Sequence, residues 1–221
     1  MEQQIRPPQD PALTLELMLV AGAGMETVAA NLLAEFGPEH AASALAMLAV
    51  TAPIEGVRGL AHLTTMGVPV GKVARRLEIL NFSPWSLVAS EKVAPRARRA
   101  IAEALGDARM VAAVSEHGLR VVDCQLEGLD DGLIIDGSLS LYRVTGLVAI
   151  PDRMVVEKNL DIWSCPDLRH IGDQLVVNKL MHVRECPLSA ESWPQECNIA
   201  ELDLPGQPRA PFRREPRRKT R

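Results

Sequence analysis

Aromatic side chains are scarce in this 221-residue chain: one tyrosine, three tryptophans and three phenylalanines, 3% of the total. A core must therefore be built from aliphatic side chains, and the 47% apolar content is enough for one. Cysteine is also sparse. Cys124, Cys165, Cys186 and Cys197 form no CxxC pair, which removes the common zinc signatures and suits reduced thiols in a cytoplasmic protein. Long apolar runs are missing too. The stretch Leu13 to Met25 is interrupted by Glu16 and lacks a basic n-region. It predicts neither a secretory signal nor a membrane span, hence a cytoplasmic protein with no membrane partner, export without a classical signal being the alternative. No GxSxG, HExxH, Walker loop or GxGxxG is present, and Ala21 to Gly24 holds only two glycines with no strand before it. The five histidines, His40, His62, His117, His170 and His182, are scattered. These absences exclude motif-borne catalysis and predict a non-enzymatic chain with no cofactor and no metal.

Charge is present but unevenly placed. Residues 1–116 are close to balanced at net −2, residues 117–206 reach −8, and residues 207–221 reach +6. The chain divides accordingly. Residues 1–12, with Pro7, Pro8 and Pro11, read as a flexible arm. Residues 13–116 are rich in Ala, Leu and Met and punctuated by Gly37-Pro38, Pro53 and Gly67-Val68-Pro69. They predict an α-helical domain with helices at Leu13–Ala21, Met25–Phe36, Glu39–Ala49, Ile54–Met66, Val70–Leu80, Pro84–Val88 and Pro95–Leu105. Residues 206–221, rich in Pro and Arg, predict a disordered basic tail.

Residues 117–205 repeat. Leu139 and Leu141 recur as Leu160 and Ile162, as Met181 and Val183, and as Leu202 and Leu204. A second column aligns Leu147 with Leu168, Ile150 with Ile171 and Val155 with Val176. A fixed 21-residue period marks a solenoid, whose units bury their apolar faces only by stacking. A first coil beginning near Gly118 is one residue short, and the last slips by one where Pro194 matches Asp173. Two strands per coil are expected: one at Leu139–Leu141 and its equivalents, the other at Leu133–Ile135, Met154–Val156, Leu175–Val177 and Cys197–Ile199. The predicted fold is α+β, a helical N-terminal domain capping a short solenoid of about four coils.

Ile150-Pro151, Val155-Val156, Leu160-Asp161-Ile162, Cys165 and Leu168 together resemble the short repeats of bacterial leucine-rich-repeat-like proteins. The resemblance covers about residues 118–205. It implies an interaction module, often one that binds protein. Gly172 departs from the proline that the pattern favours, and the helical region gains nothing from the comparison.

Three candidate surfaces follow. The outward positions of the Leu-x-Leu strands hold Asp161, His182 and Asp203, and the positions just after them hold Tyr142, Trp163 and Arg184. Tyr, Trp and Arg are enriched at interface hot spots, so this face is expected to bind another protein. The same residues could instead cover strand edges. A second surface is the segment 72–109, net +4, with Lys72, Arg75, Arg76, Arg98 and Arg99; Gly71–Leu77 followed by Ser83-Pro84-Trp85 faintly resembles a helix-turn-helix, with Glu78 where the turn glycine is expected and a longer turn. Together with Arg213, Arg214, Arg217 and Arg218 of the tail these basic residues offer a nucleic-acid-binding regulator as the alternative function. The tail could equally fold back on the acidic solenoid. A secreted effector or toxin with a repeat recognition domain is a further alternative. Cys124, Val144, Cys165 and Cys186 share a column and read as core filling.

Overall fold

A computed structural model describes residues 10–214 of the chain. Its first half is helical: α1 (Pro11–Val20), α2 (Met25–Thr51), α3 (Pro53–Thr65), α4 (Val70–Ile79), α5 (Pro95–Leu105) and α6 (Ala108–Ala113), with a 3₁₀ turn at Pro84–Val88. The two helices expected on either side of Gly37-Pro38 form one span, kinked at Gly37 where φ is 78°. Glycine tolerates that angle, and the proline behind it sits in a first turn, where its missing N–H costs nothing. α6 is not among the expected helices. Its signal is the Asp107 carboxylate, which accepts the Arg109 amide at 2.9 Å, but six residues are too few to show a helical period. Asp10 caps α1 in the same way, so the expected arm is shorter than residues 1–12. Residues 1–9 lie outside the described residues.

The second half winds into a solenoid of parallel strands, about four turns long. The hairpin β1 (Val114–Ser115) and β2 (Gly118–Val122) opens it. The Leu-x-Leu sheet then stacks β2, β4 (Ser138–Tyr142), β7 (Leu160–Trp163) and the second halves of β9 (Leu175–Arg184) and β10 (Cys197–Asp203), all parallel. A second ladder pairs β3 (Ile134–Ile135), β6 (Val155–Val156) and the first halves of β9 and β10. A third strand per coil, not expected, pairs β5 (Ala149–Ile150) with β8 (His170–Ile171). Only one residue of each two-residue strand is buried, which is too little alternation to read. The one-residue slip of the last coil is real: Ile199 pairs with Val177, but Leu202 pairs with Met181, across an irregularity.

Two devices hold the coils in register. Corner residues Asp123, Arg143, Ser164 and Glu185 adopt φ of 51–53°. There the ladder continues through amides such as Arg143 N to the Trp163 carbonyl at 2.9 Å. The strain of the left-handed conformation is offset by bonds that a regular corner would forfeit. At the opposite corner Asp131 accepts the Asp152 amide (3.1 Å), Asp152 the Asp173 amide (2.7 Å) and Asp173 the Gln195 amide (2.7 Å). One side chain per turn thus pins each coil to the next.

Both ends of the solenoid are closed. Ser83, Ser86 and Glu91 run along the free edge of β3: Ile134 N donates to Ser86 Oγ at 2.9 Å, and Glu91 N to the Asp136 carbonyl at 2.7 Å. Asp136, 1% exposed, receives a two-pronged grip from Arg58 of α3 (2.7 and 2.9 Å) and a hydrogen bond from Ser90. Apolar packing is continuous from Val28 and Leu60 through Leu87 to Leu139 and Ile199. At the far end the structure corrects the reading of the tail as disordered over residues 206–214, while residues 215–221 lie outside the described residues. β11 (Ala210–Arg214) pairs antiparallel with β10. An unpaired edge recruits any chain that reaches it, and Phe212 anchors this one against Trp193, ring centroids 5.2 Å apart. Among the described residues no helix is long and apolar enough to cross a membrane.

Candidate partner-binding face

The Leu-x-Leu sheet turns one set of side chains inward and the other outward, because successive residues of a strand face opposite sides. Leu139, Leu141, Leu160, Ile162, Met181 and Val183 are all buried. The outward set forms two columns fixed by strand register. Arg120, Ser140, Asp161, His182 and Asp203 make one; Val122, Tyr142, Trp163 and Arg184 make the other. Every residue expected on this face from the repeat is therefore brought together there. Arg120 completes the first column and was missed, because the first coil is one residue short and its match to Ser140 was obscured.

An aromatic ladder runs along the face. Tyr142 and Trp163 rings are tilted at 5.7 Å between centroids, and Trp163 meets His182 edge-on at 5.9 Å. Trp163 remains 39% exposed. The Arg143 guanidinium covers the Tyr142 ring at 4.3 Å and is itself tied to Asp123. A cavity of about 520 Å³ opens over this region, lined among others by Arg120, Ser138, Ser140, Tyr142, Asp161 and Trp163.

The charged groups are unequally satisfied. Burial alone would raise the Asp203 carboxyl, but Arg184 (2.8 Å), Arg209 (3.2 Å) and His182 hold it below its ordinary value. Asp161 has only Ser140 Oγ at 3.5 Å and His182 Nδ1 at 3.9 Å. Burial pushes its carboxyl above the usual value, against the weaker pull of His182. His182 Nε2 and Arg184 Nη1 are shielded from solvent and have no hydrogen-bond partner among the described residues. Beneath this face the Cys165 thiol, pulled down to about 7 by a hydrogen bond with Cys186, packs in the core while the Cys186 thiol is pushed up.

The basic residues do not gather into one patch. Arg98 is the clearest correction: it is 0% exposed and donates to the carbonyls of Val88, Val93, Ser115, Glu116 and Gly118. It locks α5 to the β1–β2 hairpin and has no face to offer a phosphate. Lys72 and Arg76 of α4 both pair with Glu39, and Arg75 and Arg99 are exposed on different helices. Arg213 and Arg214 sit on β11, at the other end of the strand order from the helices; Arg214 also donates to the Trp193 and Pro194 carbonyls. Arg217 and Arg218 lie outside the described residues. Set against models of known protein families, curated proteins and solved structures, the chain finds no match in any of the three.

Proposed function

We propose that this protein is a non-catalytic recognition module that binds another protein through the outward face of its Leu-x-Leu sheet. The observation that carries the reading is the Tyr142–Trp163–His182 ladder, held open to solvent in a chain with few aromatics. An exposed tryptophan on a rigid sheet is a low-entropy anchor. The resemblance of residues 118–205 to leucine-rich-repeat-like proteins points the same way. Dispersal of the basic residues and burial of Arg98 count against the nucleic-acid alternative.

The test is capture from nuclease-treated lysate by the wild type and by a Tyr142→Ala, Trp163→Ala variant. Arg184 is left intact because it holds Asp203. A protein retained by the wild type and lost by the folded variant supports the reading. Equal retention by both proteins contradicts it.

A further inference from the structure

The cavity on the face is lined by charges of both signs, and this deepens the reading above, on which it rests. At one end lies Asp161, a half-buried carboxylate with no Lys or Arg within 4.0 Å among the described residues. It contrasts with Asp203, two positions along the same column beyond His182, which two arginines already neutralise. At the other end lies Arg120, exposed and without an ion pair within 4.0 Å among the described residues, with the exposed Glu116 and His117 lining the cavity beside it. Ser140 separates the two in the column, so their backbones lie roughly 10 Å apart at two strand spacings. Trp163 and Tyr142 form the wall between them.

We propose that this cavity takes an arginine side chain of the partner, with the guanidinium between Asp161 and the Trp163 ring and a carboxylate close to that same residue meeting Arg120. The molecule already uses half of this chemistry on itself: Arg143 lays its guanidinium over Tyr142 and pairs with Asp123. That contact occupies Tyr142 and leaves Trp163 as the open ring. A guanidinium suits the site better than an ammonium because it stacks on an aromatic plane while donating in that plane to a carboxylate. A half-buried carboxylate without a cation is held at a cost that a bound cation removes. An extended arginine whose own backbone end carries the carboxylate bridges the gap to Arg120.

Three probes separate the parts: N-acetylarginine, N-acetylargininamide and N-acetylcitrulline, the last isosteric at the side chain but uncharged. The readout is the Trp163 indole resonance of the full-length protein, titrated with each. N-acetylarginine is expected to bind about tenfold tighter than N-acetylcitrulline, the effect of one charged contact, and measurably tighter than its amide. Asp161→Asn should bring arginine and citrulline level, and Arg120→Gln should bring acid and amide level; an unchanged amide spectrum elsewhere verifies that both variants fold. Equal binding of arginine and citrulline by the wild type, no saturable shift with any probe, or a preference that survives Asp161→Asn overturns the proposal. Equal affinity for acid and amide overturns its Arg120 half. Partner capture by Tyr142 and Trp163 is scored separately. A partner lost in that variant with no arginine preference sinks the ligand chemistry alone; an arginine preference with no partner lost sinks the recognition role.

Discussion

Single residues decide where this chain folds correctly, and Arg98 is the clearest case. Its guanidinium satisfies carbonyls of the 3₁₀ turn, its flanking loop and the first hairpin, and burial lowers its pKa from the ordinary value. Arg98→Met removes the donors and leaves those carbonyls buried. We predict a loss of about 2–4 kcal/mol in urea unfolding, with Arg98→Lys recovering little of it, because one ammonium cannot reach the same acceptors. A loss under about 1 kcal/mol would reduce the residue to a surface arginine in energetic terms. Arg153 gives a prediction of opposite sign. It holds φ of 56° at an exposed corner, so Arg153→Gly relieves left-handed strain and should raise stability by up to about 1 kcal/mol. Gly132 occupies the equivalent corner of the preceding coil, but a Cβ there would lie 2.3 Å from the Asn81 carbonyl oxygen. Such corners were not legible in the sequence, because Arg, Ser, Glu and Gln carry no local signal for a positive φ, and the weak preference of Asp for it marks only Asp123 among them. The backbone ladder around them imposes it.

At the scale of elements, the repeat was legible because burial imposes a strict period on Leu139, Leu160, Met181 and Leu202. Asp131, Asp152 and Asp173 recur in the sequence at the same 21-residue spacing. Their role as a ladder needs the neighbouring coil, which no local pattern contains. Asp152→Ala deletes one rung, leaving the Asp173 amide without its acceptor; thermal unfolding should report a loss of about 1–2 kcal/mol. The strand β11 was missed for a related reason. Composition described an Arg-rich tail, whereas the free edge of β10 decided its structure. Phe212→Ala removes its one apolar anchor, and hydrogen exchange at Cys197–Asp203 should then quicken by at least about tenfold while the helices stay unchanged. Unaltered exchange in β10 would mean that Phe212 does not fasten the strand.

Over the whole molecule, helices and coils share one core, and each end of the solenoid is covered, by the 3₁₀ segment at β3 and by β11 at β10. Two exposed surfaces of different character stand out. One is the aromatic and charged face of the Leu-x-Leu sheet. The other is an aliphatic patch on α1 and α2, with Leu13, Leu17, Val20, Met47 and Val50 all more than half exposed. Sequence periodicity placed the first correctly, since strand register follows from the repeat. The patch was not singled out, because only tertiary packing determines which side of an almost wholly apolar helix is left bare. The contrast between the two surfaces supplies the most direct measurement. For a protein captured by the wild type, calorimetric affinity is compared among the wild type, the Tyr142→Ala, Trp163→Ala variant and a Leu17→Ala, Val20→Ala variant. Recognition by the sheet predicts a loss of at least about thirtyfold in the first variant, the scale of a hot spot, and none in the second. Full affinity in the first and loss in the second would assign the working surface to the helices and contradict the account.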